Sequence, residues 1–211
     1  MPVLIFANGE MDDMAWIRPY LAQATAVIAA DGGARHLLAL HRPPDVVIGD
    51  MDSLPEPARH WLSSSGARFI THPAAKDETD LELALLYAAV HFKDDVWVFG
   101  GWGGRLDQSL ANVLLLAHPD LQGRFIQFVE PGERIWLIQS KTVIHGRPGD
   151  TISLLPLGGH VHVDSTSGLR WPLQNELLIL GRTRGVSNEL TAEVATVQVR
   201  SGRLLCIHRT I

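Results

Sequence analysis

The sequence contains one cysteine, Cys206, and no long apolar run. A single cysteine excludes an intramolecular disulfide and any metal centre held by several thiolates. We expect its small side chain to be buried in a late strand. No apolar stretch approaches the ~20 residues that cross a bilayer, and the first residues lack the basic segment and cleavage site of a secretory signal peptide. These absences predict a cytoplasmic protein with no membrane partner.

Basic residues are also few. The 211 residues include 18 lysines and arginines against 23 aspartates and glutamates, a formal net charge of −5. Nucleic-acid binding usually needs a basic face for the phosphates, so no nucleic-acid partner is expected. Residues 1–130 hold 17 acidic and 9 basic side chains, whereas residues 131–211 hold 6 and 9. The acidic excess of the first part suggests bound metal cations.

The first 130 residues alternate short apolar runs with helical patterns. The predicted strands are residues 3–7, 26–30, 46–48, 68–71, 96–99 and 125–129, and the clearest helical patterns are residues 81–92 and 106–117. This alternation predicts an α/β domain with a mostly parallel sheet flanked by helices. In such sheets ligands bind beyond the carboxyl ends of the strands.

After Pro131-Gly132 the pattern changes to short alternating strands. They are predicted at residues 134–138, 142–145, 151–155, 160–163, 193–199 and 203–207. Ser201-Gly202 joins the last two and predicts a hairpin between them. We therefore expect two domains: an α/β catalytic domain over residues 1–130, and a smaller all-β, sandwich-like domain over residues 131–211.

The segment Gly49-Asp50-Met51-Asp52-Ser53 follows the third predicted strand. Two carboxylates two residues apart in an extended chain point the same way, so both can reach one cation. Mg²⁺ prefers such oxygen ligands and keeps positions for water and phosphate. A turn with solvated aspartates explains the same pattern, and the segment alone leaves both readings open.

Lys76-Asp77-Glu78-Thr79-Asp80 precedes the helix predicted at residues 81–92. Asp80 could complete a three-carboxylate metal site with Asp50 and Asp52, while Lys76 neutralises a phosphate that the helix amides also bind. The alternative is simple helix capping by Asp77 and Thr79, which needs no ligand.

Three further loops follow predicted strands at the same edge of the sheet. Asn8-Gly9 follows the first, Asp31-Gly32-Gly33 the second, and a glycine-rich segment, residues 100–108, the fifth. The glycines allow the backbone to approach a phosphate. Arg105 could clamp phosphate oxygens, or Asp107 could simply orient it. Five such loops favour one shared site over five separate turns.

In the second part, Trp171 could offer a flat face to an aromatic cation, or could be a core residue. Ser187 and Asn188 could bind a heterocycle, or could form a turn. The histidines show no metal-binding pattern, and no Gly-x-Ser-x-Gly elbow of a serine hydrolase is present.

Taken in order, these segments resemble thiamine pyrophosphokinases over nearly the whole chain. The segments that carry the resemblance are residues 30–34, 49–53, 76–80, 103–108, 168–173 and 187–189. Two positions depart from the family pattern: Gln108 replaces a histidine found in many bacterial members, and Arg35 replaces an asparagine.

The resemblance implies Mg²⁺-dependent transfer of a diphosphoryl group from ATP to thiamine, giving thiamine diphosphate and AMP, in a homodimer whose active sites lie between subunits. Asp50, Asp52 and Asp80 match the metal ligands, and Asp77 or Asp52 is the expected base. The expected ATP-binding residues are Asn8, Asp31, Gly32, Gly33, Lys76, Thr79, Arg105, Asp107 and Gln108. Those expected to bind thiamine are Trp171, Ser187 and Asn188.

Three alternatives compete with this interpretation. A pyrophosphokinase for another alcohol, such as a hydroxymethylpterin, would keep the aspartates, but the Trp171 and Ser187-Asn188 motifs argue against it. A non-catalytic thiamine or nucleotide sensor would be expected to lose an aspartate among Asp50, Asp52 and Asp80, and all three are present. A metal-dependent phosphohydrolase would use water in place of thiamine.

Overall fold

A computed structural model describes residues 1–52 and 54–211 of the chain. Ser53, which belongs to the predicted metal-binding segment, lies outside the described residues. The chain forms two compact units, Met1–Val129 and Glu130–Ile211. The first combines parallel strands with helices and the second contains antiparallel strands, which confirms the predicted fold class.

The first unit is built on a six-stranded parallel sheet. Its strands are β1 (Val3–Phe6), β2 (Ala26–Ala30), β3 (Val46–Gly49), β4 (Arg68–Thr71), β5 (Val96–Phe99) and β6 (Ile126–Glu130). Its helices are α1 (Arg18–Leu21), α2 (Ala34–Ala39), α3 (Glu56–Ser64), α4 (Asp80–His91) and α5 (Leu106–Leu114), with 3-10 turns at Ala15–Ile17, Asp31–Gly33, Leu115–Ala117 and Pro119–Leu121. β1, β2 and β3 are buried along their whole length, which accounts for their nearly continuous apolar runs.

The strand order is β6-β5-β1-β2-β3-β4. The chain moves outward in one direction from β1 to β4, then crosses back so that β5 pairs with the free side of β1. Open parallel sheets bind ligands where the order reverses in this way, because the loops on either side diverge and leave a crevice. Here the reversal lies between β1 and β5. In register, Phe6 lies opposite both Ala29 and Phe99, so the ends of β1, β2 and β5 are level.

The second unit contains two antiparallel sheets. Its strands are β7 (Glu133–Ile138), β8 (Lys141–His145), β9 (Thr151–Pro156), β10 (Val161–Ser167), β11 (Gln174–Leu178), β12 (Asn188–Glu189), β13 (Val194–Ser201) and β14 (Leu204–Arg209). One sheet has the order β12-β9-β14-β7 and the other β11-β10-β13-β8. One apolar cluster takes side chains from both, including Leu154 and Cys206 from the first sheet and Val163 and Val197 from the second. The sheets therefore enclose a common core, as in a β-sandwich.

The predicted hairpin at Ser201-Gly202 is wrong. β13 pairs with β8 and β10, whereas β14 pairs with β7 and β9 in the other sheet. Gly202 has φ +90 and lies so close to Val161 that a side chain would meet its Cα at 3.0 Å. The turn residues are those of a hairpin, but the turn carries the chain from one sheet to the other.

Candidate active site

Loops after β1, β2 and β5 and before α4 meet at a cleft of about 510 Å³ in the first unit. Its lining includes these sequence-predicted site residues: Asn8, Asp31, Gly32, Lys76, Thr79, Asp80, Arg105 and Gln108. Because the carboxyl ends of parallel strands share one edge, residues distant in sequence converge there. The structure thus brings most of the predicted nucleotide-binding residues to one cavity.

An acidic cluster lies among the same strand ends. Asp31, Asp50 and Asp52 each offer a carboxylate oxygen, and these oxygens all lie within 4.8 Å of one another. Asp31 follows β2 and the other two follow β3, its neighbour in the sheet. Asp31 is buried, Asp50 is half-buried and Asp52 is exposed. Three hard oxygen donors with partial access to solvent form a set that suits Mg²⁺.

The sequence argument assumed an extended chain around Asp50 and Asp52, but the structure shows a turn there. Met51 between them has φ +65, and the backbone N–H of Asp52 donates to Asp50 Oδ1 at 3.0 Å. The carboxylates converge because the chain turns back on itself. Asp31 also has a positive φ, +38. Backbone in this region is uncommon for residues other than glycine and clusters at functional sites.

Lys76 links this cluster to α4. Its Nζ lies 3.0 Å from Asp80 Oδ1 and 3.8 Å from Asp50 Oδ2. Burial disfavours the ammonium charge, but the hydrogen bond to Asp80 and the nearby carboxylates outweigh this effect and raise the pKa of Lys76. The pKa of Asp50 is lowered, first by the N–H of Asp52. The site is therefore a charged network in which Lys76 stays protonated.

The segment before α4 divides into capping and cleft-facing residues. Thr79 is the N-cap of α4, and its Oγ1 accepts a hydrogen bond from the Glu82 N–H at 3.2 Å. This confirms the capping alternative for Thr79, which also lines the cleft. Glu78 lines the cleft as well, whereas Asp77 is exposed and is absent from the described lining. Asp80 is the first residue of α4, and its carboxylate lies beside Gly49 at the end of β3.

In the glycine-rich loop, Arg105 and Asp107 form an exposed bidentate pair, with Arg105 Nε 3.1 Å from Asp107 Oδ1. The hydrogen bond from Arg105 lowers the pKa of Asp107 and raises that of Arg105. Asp107 therefore orients Arg105, the alternative considered from the sequence. Arg105 and Gln108 line the cleft, and Asp107 is absent from its described lining. Asn112 on α5 is buried and donates to the carbonyl of Gly101 at 2.6 Å, which ties the loop to the helix.

Gly32 and Gly33 hold the loop after β2 against β1. A side chain at Gly33 would lie 2.0 Å from the carbonyl oxygen of Phe6, and one at Gly32 would meet the Asn8 side chain at 2.6 Å. Gly33 is buried and absent from the described cleft lining. It acts by close backbone packing, and Gly32 and Asn8 are the residues of this group that face the cleft.

The remaining predicted residues lie in the second unit, where Trp171 is 46% exposed. The Arg170 guanidinium lies 5.0 Å from the centre of its ring and is paired with Glu189 at 2.8 Å. A cation already occupies one side of the indole, in a cation–π arrangement. Trp171 is thus a surface aromatic residue and not a core residue.

Asn188 is buried, and its side-chain oxygen and nitrogen both bond to the backbone of Trp171. Its Oδ1 accepts from the N–H groups of Trp171 and Glu189 at 3.0 and 2.9 Å, and its Nδ2 donates to the Trp171 carbonyl at 2.7 Å. Asn188 therefore positions Trp171. Ser187 is exposed with φ +57, and its N–H donates to Ser153 Oγ at 3.1 Å.

Sequence reasoning missed the roles that three residues of the cleft have in the structure. Asp31 was expected near the nucleotide, and its place beside Asp50 depends on the pairing of β2 with β3. Arg35 donates to the carbonyls of Asn8 and Gly9 at 3.0 and 3.1 Å, and so holds the loop after β1. Trp102 lines the cleft too. Its position three residues beyond a strand, within a glycine-rich loop, was the available signal.

Comparison with known proteins gives matches along most of the chain. The thiamin pyrophosphokinase catalytic-domain model matches residues 17–128, and the thiamin pyrophosphokinase vitamin B1 binding domain model matches residues 140–204. Thiamine pyrophosphokinase of Bacillus subtilis (strain 168) is 29% identical over 208 residues, covering 98% of this chain and 97% of that protein.

Thiamine pyrophosphokinase 1 of Arabidopsis thaliana is 28% identical over 209 residues, covering 85% of this chain and 76% of that protein. The crystal structure of the Bacillus subtilis thiamine pyrophosphokinase superposes with a TM-score of 0.90 at 29% identity, covering 100% of this chain and 99% of that chain. Since the catalytic-domain model alone spans more than half of the residues, the chain belongs to the thiamine pyrophosphokinase family.

Proposed function

We propose that this chain transfers the terminal diphosphoryl group of ATP to the hydroxyethyl oxygen of thiamine. The oxygen bonds to the β-phosphorus, the bond between that phosphorus and AMP breaks, and the products are thiamine diphosphate and AMP. Family membership supports the acceptor. The observation that carries the proposal for this chain is the group of three convergent carboxylates, Asp31, Asp50 and Asp52, beside a cleft that Lys76 also lines.

Carboxylate oxygens are suitable ligands for Mg²⁺. We propose Asp50 and Asp52 as ligands, as expected from the sequence, with Asp31 or Asp80 as the third. When bound, Mg²⁺ neutralises charge on the phosphate oxygens as the diphosphoryl group is transferred. Asp80 is within 3.0 Å of Lys76 Nζ, and Asp31 lies within the carboxylate cluster, which makes Asp31 the stronger third candidate.

The chain's other residues act by positioning and charge. Lys76 remains protonated at the cleft wall and neutralises a phosphate oxygen. Arg105, oriented by Asp107, reaches a further phosphate oxygen from the glycine-rich loop. Asn8, Gly32, Thr79 and Gln108 complete the proposed contacts to ATP. For the proton released by thiamine, Asp52 and Asp77 are the proposed acceptors, and only Asp52 belongs to the carboxylate cluster.

In the second unit, Trp171 is the proposed stacking partner of the thiamine ring system, which is cationic and favours an aromatic face. Ser187 is exposed and can reach a ligand. Asn188 contributes by holding Trp171, because its own polar atoms are already bonded. We accordingly propose residues 1–130 as the ATP- and Mg²⁺-binding domain and residues 131–211 as the thiamine-binding domain.

We further propose a homodimer with active sites between subunits. The supporting feature is the leucine face of α5, formed by Leu106, Leu110 and Leu114, which are 72%, 56% and 58% exposed. Residues spaced by four share one helical face, and exposed apolar faces of this kind mark interfaces. The same helix carries Gln108 and Ser109 into the cleft, so a second copy seated there would adjoin the site.

No helix in the described part of the chain is long and apolar enough to cross a membrane. The proposal includes a cytoplasmic location, with which the single buried cysteine is compatible.

The test is a product assay with thiamine, ATP and Mg²⁺. Equal amounts of thiamine diphosphate and AMP are expected. Thiamine monophosphate with ADP would indicate attack at the γ-phosphorus, and phosphate or diphosphate release without thiamine would indicate a phosphohydrolase. Thiamine binding without turnover would indicate a sensor. Preference for a hydroxymethylpterin over thiamine as acceptor would identify a different pyrophosphokinase.

A further inference from the structure

The nucleotide cleft contains an aromatic side chain that the proposed chemistry does not use. Of the described residues that line it, Trp102 is the one aromatic member. Trp102 follows β5 within the loop Gly100–Arg105, at the reversal of strand order beside β1. Most other lining residues are small or polar, so this indole supplies the largest apolar surface at the cleft wall.

The position of Trp102 is fixed from several sides. Its ring packs against Phe128 of β6, with ring centres 5.7 Å apart and planes tilted by 37°. The loop that carries it is tied to the loop after β1 through the Gly9 N–H, which donates to the Gly100 carbonyl at 2.8 Å. Gly9 has no room for a side chain, because a Cβ would lie 2.3 Å from the Trp102 carbonyl oxygen. A ring held in this way is pre-organised for stacking.

The carboxylate cluster lies at the other side of β1. Asp31 follows β2, and the order β5-β1-β2 places the ends of β5 and β2 two strand spacings apart, roughly 10 Å at ~4.8 Å per strand. The loop after β1 lies between the ends of β5 and β2, since the Asn8 side chain contacts Gly32 while Gly9 contacts Trp102. The cleft thus has a side that carries the carboxylates and an aromatic side, whose loop also carries Arg105.

We propose that Trp102 stacks on the nucleobase of the bound nucleoside triphosphate and favours purines over pyrimidines. The inference rests on the proposed function and adds to it the residue that selects the base. A larger ring offers more stacking area, and base–aromatic stacking is sequence-tolerant but stronger for larger bases. The triphosphate then extends past Asn8-Gly9 toward Lys76 and the aspartates.

The test compares two probes that differ only in the presence of a nucleoside: MgATP and magnesium tripolyphosphate, with binding measured by calorimetry. Trp102→Ala should weaken ATP binding by roughly 10-fold or more, the range of one lost base stack, and leave tripolyphosphate binding unchanged. Trp102→Phe should recover most of the ATP affinity.

The same variants test the preference for purines. The unmodified chain should bind ATP more tightly than CTP, and this difference should be smaller in Trp102→Ala. Trp61→Ala, a half-buried tryptophan of α3 absent from the described cleft lining, is the control.

Equal weakening of both probes would overturn the inference, because Trp102 would then act only by holding the loop. Unchanged ATP affinity would also overturn it. A further check needs no variant: an unmodified chain that binds ATP no more tightly than tripolyphosphate has no base site. None of these outcomes removes thiamine diphosphate formation, which tests the proposed function separately.

Discussion

Single side chains decide whether the acidic cluster is a metal site. Asp52→Ala removes one of three convergent carboxylates, and we expect a loss of roughly 100-fold or more in Mg²⁺-dependent turnover, comparable with loss of one electrostatic stabiliser of a transition state. Because Asp52 is exposed, the fold should remain intact, as circular dichroism would show. Asp12→Asn, an exposed acid outside the cluster, is the control, and near-normal turnover of Asp52→Ala would refute the metal assignment.

The third ligand can be identified by comparing Asp31→Asn with Asp80→Asn. The variant that lacks a true ligand should need more Mg²⁺ for half-maximal turnover. We expect Asp31→Asn to show this higher requirement for Mg²⁺. Asp80→Asn should instead change the KM for ATP, because Asp80 is paired with Lys76.

Asn188 offers a test of indirect action. Asn188→Ala removes two hydrogen bonds to the backbone of Trp171 and one to the backbone N–H of Glu189, leaving backbone groups unpaired at a cost of about 1–3 kcal/mol in the free energy of unfolding. We expect the KM for thiamine to rise and the KM for ATP to stay constant, as also expected for Trp171→Ala. Asn188→Asp retains the acceptor oxygen, so its KM for thiamine should lie between those of the unmodified chain and Asn188→Ala. An equal rise in both KM values would show a general loss of structure.

His36 should make stability depend on pH. It is buried, and its ring donates to the Gly9 carbonyl at 2.9 Å. Burial, reinforced by Arg35, lowers its pKa to about 4, whereas the unfolded chain has a pKa near 6.5. Between these values the unfolded state binds the additional proton, so stability should be complete above pH 6.5 and fall by on the order of 2–3 kcal/mol as pH decreases to 4. Urea unfolding at several pH values measures this slope.

His36→Gln should flatten that pH dependence, and His60→Gln, at an exposed position, should leave it unchanged. A slope that is the same in all three proteins would show that His36 is not the titrating group.

At the scale of the element, α4 depends on its first turn. Thr79 caps the helix through the Glu82 N–H, and Thr79→Ala should reduce the free energy of unfolding by about 1 kcal/mol. Thr79→Ser keeps the oxygen and should retain most of the stability. Urea unfolding distinguishes the two, and equal loss in both variants would mean that the methyl group of Thr79, and not its cap, stabilises the helix.

The elements also show what sequence patterns can predict. Apolar runs and their terminal glycines and aspartates located the six strands of the first unit to within one or two residues, because all but the edge strand β4 are largely buried and therefore mostly apolar. The order of the strands could not be predicted, because no local sequence pattern indicates that β5 pairs with the free side of β1 or that Asp31 lies beside Asp50. Likewise, Ser201-Gly202 indicates a turn but not which sheet receives the next strand.

At the scale of the whole molecule, the leucine face of α5 predicts assembly. Leu110→Glu places a charge in the middle of that face, and we expect sedimentation to show a monomer where the unmodified chain forms a dimer. Val90→Glu on α4, where Val90 is 79% exposed, should leave the dimer intact. A Leu110→Glu chain that remains dimeric would assign the interface elsewhere.

Mixing Asp52→Ala chains with Trp171→Ala chains, at a thiamine concentration too low for turnover by Trp171→Ala alone, tests whether two subunits share a site. Turnover restored on mixing is expected if each site combines the metal cluster of one copy with the aromatic residue of the other. Absence of restored turnover, with exchange of subunits demonstrated, would place both in one chain.

The lone thiol gives this chain an internal reporter. Cys206 is fully buried in β14, between Trp136 of β7 and Leu154 of β9, and burial raises its pKa. A thiol reagent can therefore modify the native protein only when this sheet opens. Labelling rates at low denaturant give the opening free energy of residues 130–211 without any introduced probe. Comparison with global unfolding would then reveal whether the two units open together or one at a time.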